Sequence, residues 1–162
     1  MTHEPTAGIH IRPASIADAG QLLPLIQAYW QHEGIAGFEP ARLSRQLNEF
    51  LATPAHGRGW LAMHAGLAVG YLLCAFVYSF EHGGLMAEVD ELFVQPEYRR
   101  RGLGQTLLSA ARTGLTAGGC GALQMQVADD NPGAQDFYAR LGFRQKSGYR
   151  LWVATLQTEA AG

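Results

Sequence analysis

Cysteine is scarce in this sequence, and so is charge. Cys74 and Cys120 are the two cysteines in 162 residues, and each sits in apolar sequence far from the other. They fit no metal-ligand spacing and no disulfide framework, so a reducing, cytoplasmic compartment is the simplest expectation. Charged residues make up 16% of the chain, with a formal net charge of −2. A nucleic-acid binder wants a basic domain and a broad cationic face, so this balance argues against one. Long apolar runs are missing as well. The longest, "LAVGYLLCAFVYSF", has 14 residues and contains a glycine, too short to span a bilayer and better read as a buried strand. The opening "MTHEPTAGIHIRP" has no basic region followed by an apolar one, so no signal peptide is expected. His3, His10, His56 and His64 have no ligand spacing, and no metal is expected.

What is present is a globular composition, 48% apolar, in a chain long enough to bury a sizeable core. There are no internal repeats. Residues 1–8 read as a loose leader and residues 9–158 as one domain. "GIHIRPA" alternates like a short strand ending near Arg12. Leu22, Leu25, Ile26 and Tyr29 then recur at helical spacing, with Ser15 before them and Gly34 as the stop. Pro24 inside that pattern predicts a kink or a late helix start. A second amphipathic helix carries Leu43, Leu47, Phe50 and Leu51. "GWLAMHAGLAVGYLLCAFVYSF" predicts a hairpin turning at His64-Ala65-Gly66. "LMAEVDELFV" is a strand, and "LGQTLLSAARTGLTAGGC" a helix with Leu103, Leu107, Ala110, Ala111 and Leu115 inward. "ALQMQV" is a strand, "NPGAQDFYARLG" a short helix and "YRLWVATL" a closing strand. Hairpins mixed with strand–helix–strand crossovers imply an α/β domain on a mixed sheet.

The stretch Arg99-Arg100-Arg101-Gly102-Leu103-Gly104 leaves a strand and opens a helix. Backbone N–H groups at a helix start have no internal acceptor, the helix dipole adds partial positive charge, and glycines let a bulky anion approach. Flanking arginines can pair with further oxygens. A P-loop is ruled out, because Gln105-Thr106 stands where a Lys-Ser/Thr pair is required. A dinucleotide fingerprint lacks its third glycine. An anion cradle and a basic surface turn both remain.

Two motifs extend this reading. Arg99-x-x-Gly102-x-Gly104, following "ELFVQPEY", resembles the acetyl-CoA pyrophosphate loop of the GNAT superfamily of N-acetyltransferases. "NPGAQDFYARLGF" is similar to the family's next motif through Asn131, Ala134, Phe137, Tyr138, Gly142 and Phe143. "IRPASIADAGQLLPL" and "GYRLWVATL" resemble its first and last elements, so the likeness covers about residues 9–156. It implies an α+β fold with a mixed, mostly antiparallel sheet whose middle strands splay. It also implies direct acetyl transfer from acetyl-CoA to a primary amine of a small molecule or protein, and a homodimer is common in the family. The pantetheine arm would pair near Phe93 and Val94. Arg99, Arg100, Arg101, Gly102, Leu103, Gly104 and Gln105 would hold the pyrophosphate, with Asn131 as a further contact. Tyr138 would lie near the sulfur as general acid, and Glu88 or Asp90 would be the base. Strict alternation puts Glu88, Asp90 and Leu92 on one face and Val89, Glu91 and Phe93 on the other, with Glu91 structural. Tyr29, Trp30, His32 and Glu33, with Phe80, Glu81 and His82, are acceptor-pocket candidates. The acids there favour a cationic amine. The alternative reading is a non-catalytic acyl-CoA-binding regulatory module.

Overall fold

The computed structural model describes residues 8–156. The expected leader, apart from Gly8, therefore lies outside the described residues, as do His3 and residues 157–158 of the expected domain. The chain falls into two compact units, Met1–Gln126 and Val127–Gly162.

The first unit is built on one five-stranded sheet in the order β1-β2-β3-β4-β5. Its strands are β1 (Ile9–Pro13), β2 (Gly57–His64), β3 (Leu67–Ser79), β4 (Gly84–Val94) and β5 (Leu123–Met125). The first three pairings are antiparallel and β4 with β5 is parallel. The β2–β3 hairpin turns through Ala65 and Gly66, both at positive φ (48° and 80°), the conformation that matches strand twist in a two-residue loop. The apolar run becomes β3 up to Ser79; its Tyr71, Leu72 and Cys74 are fully buried, whereas the expected burial fails at Val77 and Tyr78, which are exposed.

Helices α1 (Ala19–Glu33) and α2 (Pro40–Ala52) cover one face. Leu22, Leu25 and Ile26 of α1 and Leu47 of α2 form a core with Leu61, Met63, Tyr71, Leu73 and Phe93. Pro24 does not interrupt α1. It lies near the helix start on an exposed turn with Gly20, so water can serve the carbonyl left without its N–H partner. Gly34 ends α1 in the left-handed conformation at φ 68°, as a C-terminal cap requires. Before α1, Arg12 grips Asp18 through two bonds of 2.6 and 2.9 Å, and the Ser15 amide donates to the same carboxylate at 2.7 Å.

Helix α3 (Leu103–Ala117) packs on the opposite face. It buries Leu103, Leu107, Leu108, Ala111 and Leu115. Leu108 therefore takes the place expected for Ala110, which is half-buried. Gly114 lets the helix approach the sheet, since a Cβ there would stand 2.9 Å from the Trp60 ring.

The second unit contains α4 (Pro132–Arg140). The closing strand expected over 149–156 is absent: this stretch is irregular, with Trp152 89% exposed and Leu156 88% exposed. Its alternation satisfies the strand pattern, but a strand also needs a neighbour to receive its backbone bonds.

Candidate active site

Strand β5 accompanies β4 only where Ala87, Glu88 and Val89 face Leu123, Gln124 and Met125. From Asp90 to Val94, β4 pairs only with β3 among the described residues. The splay expected between these strands is thus present. It opens at a β-bulge: Val89 faces Cys74 and Glu91 faces Leu73, which leaves Asp90 as the extra residue.

The bulge corrects the face assignment drawn from strict alternation. One inserted residue reverses the side on which every later residue emerges. Glu91 and Phe93 therefore turn toward α1 and α2, opposite Leu73 and Tyr71. Leu92 goes to the other face with its partner Leu72. On the face covered by α1 and α2, Glu91 accepts hydrogen bonds from Trp30 Nε1 at 2.8 Å and from the Tyr71 hydroxyl at 2.7 Å. Burial pushes its carboxyl above the usual range, the two donors pull it back, and the charge of Asp90 adds to the rise. Asp90 is exposed as a residue, yet the protein packed around its carboxyl, and then Glu88, raise its pKa also. Glu88 accepts from the side-chain amides of Gln124 (2.7 Å) and Gln126 (3.0 Å).

Trp30, Asp90 and Glu91 meet in a cleft of about 550 Å³ between α1, α2, β3 and β4. Its other walls include Ile26, Leu43, Leu47 and Phe50. Tyr29, Glu33, Glu81 and His82 do not line it. The Tyr29 ring packs edge-on to Phe93 at 6.3 Å. Glu33 and His32 lie exposed at the end of α1, and Phe80, Glu81 and His82 are exposed in the β3–β4 turn. Sequence reasoning assigned Leu43, Leu47 and Phe50 to a helix face, without the cleft that this face helps to enclose. It also missed Tyr71, which looked like one more apolar residue in a long run.

The arginine–glycine loop follows β4 directly. Arg99 folds back: its Nε donates to the Val94 carbonyl at 2.8 Å, and its guanidinium lies 5.4 Å from the Phe93 ring centroid. It therefore clamps the loop to the strand end and occupies the Val94 oxygen. Arg101 lies over Tyr98 at 5.5 Å, and the Tyr98 hydroxyl stands 2.8 Å from Nδ1 of His64. Arg100 and Gly102 take positive φ, 59° and 77°. That contour delivers the chain into α3, where Gly102 is the N-cap and its carbonyl accepts from Thr106. Among the described residues, no acceptor is found for the backbone N–H groups from Arg100 to Gln105. The first turn of α3 is therefore a row of donors at the positive end of a helix dipole.

In the second unit, Asn131 caps α4, its Oδ1 accepting from the Ala134 amide at 3.1 Å. The helix ends in a Schellman motif: the Phe143 amide bonds to the Tyr138 carbonyl and the Gly142 amide to that of Ala139, with Gly142 at φ 85°. The Tyr138 and Phe143 rings pack edge-on at 5.7 Å, the apolar contact that accompanies such a cap. The spacing Tyr138, Gly142, Phe143 thus has a local structural cause, which also fixes the tyrosine ring.

Comparison with known proteins agrees with this architecture. The model of the acetyltransferase (GNAT) family matches residues 22–143. A thialysine N-epsilon-acetyltransferase of Sus scrofa is 25% identical over 162 residues, covering 90% of each chain. An uncharacterized N-acetyltransferase of Methanocaldococcus jannaschii is 33% identical over 90 residues, 54% of this chain and 39% of that protein's length. Among solved structures, an integron cassette protein from the mobile metagenome of Cole Harbour Salt Marsh superposes with a TM-score of 0.79. It is 30% identical over 91% of each chain. The aminoglycoside N-acetyltransferase AAC(6')-Iy in complex with CoA shares the fold, with a TM-score of 0.78 at 20% identity, over 91% of this chain and 95% of that one. The chain belongs to the GNAT family and is an acetyl-CoA-dependent acyltransferase.

Proposed function

We propose that the protein transfers the acetyl group of acetyl-CoA to a primary amine by direct attack within a ternary complex. The observation that carries this reading is the row of unclaimed N–H groups from Arg100 to Gln105, set directly after the β4 edge that β5 leaves open. A pyrophosphate suits that row through its oxygens, with Arg100 and Arg101 supplying charge. Arg99 positions the loop through Val94, and the open β4 edge ahead of it suits the amides of a pantetheine arm. Asn131 is carried as a further cofactor contact by its place in the motif.

The amine must lose a proton before it attacks. Asp90 and Glu88 are the bases for that step, directly or through water; burial, and then the charge of Glu88, raises the Asp90 carboxyl above its ordinary value, the direction a general base needs. The amine nitrogen then bonds to the acetyl carbon and gives its second proton to water, the tetrahedral intermediate collapses, and the carbon–sulfur bond breaks. Tyr138 is assigned as the acid that protonates the departing thiolate. Holding both substrates in one complex supplies much of the rate, so no covalent nucleophile is needed. Cys74 is unsuited to that role: it is buried, and burial pushes its thiol up to about 12.

The test is thiol release from acetyl-CoA across a panel of primary amines. Wild type should release CoA with at least one amine. Tyr138→Phe should lower turnover by roughly 10²-fold or more while acetyl-CoA binding persists. Tight CoA binding with no release for any amine would instead establish a non-catalytic binding module.

A further inference from the structure

The cleft above the β4 bulge has an uneven chemistry. Apolar residues make most of its wall, Ile26, Leu43, Leu47, Phe50, Leu73 and Phe76 among them. Its carboxylates, Asp90 and Glu91, sit together on β4, at the point where that strand parts from β5. Among the described residues, no lysine or arginine lines it. Glu91 is held by Trp30 and Tyr71, which fixes its carboxylate on one side of the cleft. The other polar side chains on the wall are Gln46 and His56, with the Trp30 N–H already committed to Glu91.

From this we infer that the acceptor is a small primary amine with an apolar body, its ammonium directed at Asp90 and its body lodged against α2. The inference rests on the acetyltransferase reading and names its substrate class. A ligand rich in hydroxyls would lose its water against Leu43, Leu47 and Phe50 without recovering hydrogen bonds, which is costly. An alkyl or aryl body gains by the same transfer. The cleft volume of about 550 Å³ falls in the range of small-molecule pockets. Phe50 and Leu43 become specificity determinants. Both are supplied by α2, which is far from the loop in sequence.

The experiment compares straight-chain primary amines from butylamine to heptylamine with glucosamine, using the full chain. Each amine is measured twice, by CoA release and by calorimetric binding in the presence of CoA. kcat/KM should rise by about three- to fourfold per methylene, and glucosamine should fall well below the whole series. Phe50→Ala should flatten that slope while leaving acetyl-CoA affinity unchanged. Binding of heptylamine that follows the slope, with no CoA release for any amine, would uphold the cleft assignment and remove the acetyltransfer reading. A flat series, preference for glucosamine, or an unaltered slope in Phe50→Ala would overturn the inference while leaving acetyl transfer intact.

Discussion

Removing the Glu91 side chain is expected to destabilise the fold far more than removing the hydroxyl that it accepts. In Glu91→Ala, the fully buried Tyr71 loses the acceptor of its hydroxyl, and Trp30 loses the acceptor of its indole N–H. Each orphaned donor costs about 1–3 kcal/mol. Relief from burying a carboxylate offsets part of this, and water entering the cleft serves Trp30 more easily than Tyr71. The net loss should be about 2–4 kcal/mol. Tyr71→Phe gives up one bond and leaves Glu91 with Trp30, so it should cost about 1 kcal/mol. In the double variant the shared bond cannot be lost twice, so the combined cost should fall short of the sum by about 1–2 kcal/mol. Urea unfolding followed by far-ultraviolet circular dichroism reads all three. Equal single-variant costs, or strict additivity, would refute the argument. The pH dependence has a definite sign. The folded carboxyl of Glu91 binds its proton more tightly than the unfolded one, so its contribution to stability declines as pH rises from the ordinary value of 4.5 upward. Glu91→Gln should lack that decline.

Other expectations concern the frame of the site. Asp18 is held at about 2 by its bonds to Arg12, against an ordinary 3.8. It therefore contributes about 2 kcal/mol above that ordinary value, lost as pH falls toward 2; acid unfolding of Asp18→Asn should show a correspondingly shallower dependence. Gly57→Ala should be strongly destabilising, because its Cβ would meet the Cys74 carbonyl and the Phe50 ring. Gly20→Ala faces open space within α1 and should stabilise by up to about 1 kcal/mol. Thermal melts of the two glycine variants distinguish them directly. Gly102→Ala also meets nothing within 4 Å, so its cost should be that of a left-handed alanine, about 1–2 kcal/mol.

The order of elements was legible because apolar residues keep helical or strand period along most of the chain. Leu22, Leu25 and Ile26 mark α1, Gly34 ends it, and Ala65-Gly66 turns the hairpin. Two features escaped for physical reasons. A bulge is a single extra residue, and nothing in "EVDELF" distinguishes an inserted Asp90 from one in register. Only the pairing with Leu73 and Cys74 reveals it. The stretch 149–156 has strand composition, but pairing is a property of a neighbouring strand and cannot be read from the segment itself. The site was legible unevenly. Glycines and arginines announced the loop, whereas the roles of Arg99 on Val94 and Arg101 on Tyr98 required three dimensions. The α2 wall of the cleft was visible only as an apolar helix face. Its function depends on which helix it faces and which carboxylates lie beneath it.

The loop from Arg100 to Gln105 is proposed to bind the pyrophosphate of acetyl-CoA through its backbone donors. Calorimetric titration of acetyl-CoA into wild type and Gly104→Trp tests it most directly, with circular dichroism confirming that both are folded. A bulky side chain in the first turn of α3 should obstruct anion approach and lower affinity by at least about tenfold, equivalent to 1.4 kcal/mol. Undiminished acetyl-CoA affinity in a folded Gly104→Trp protein would contradict the account.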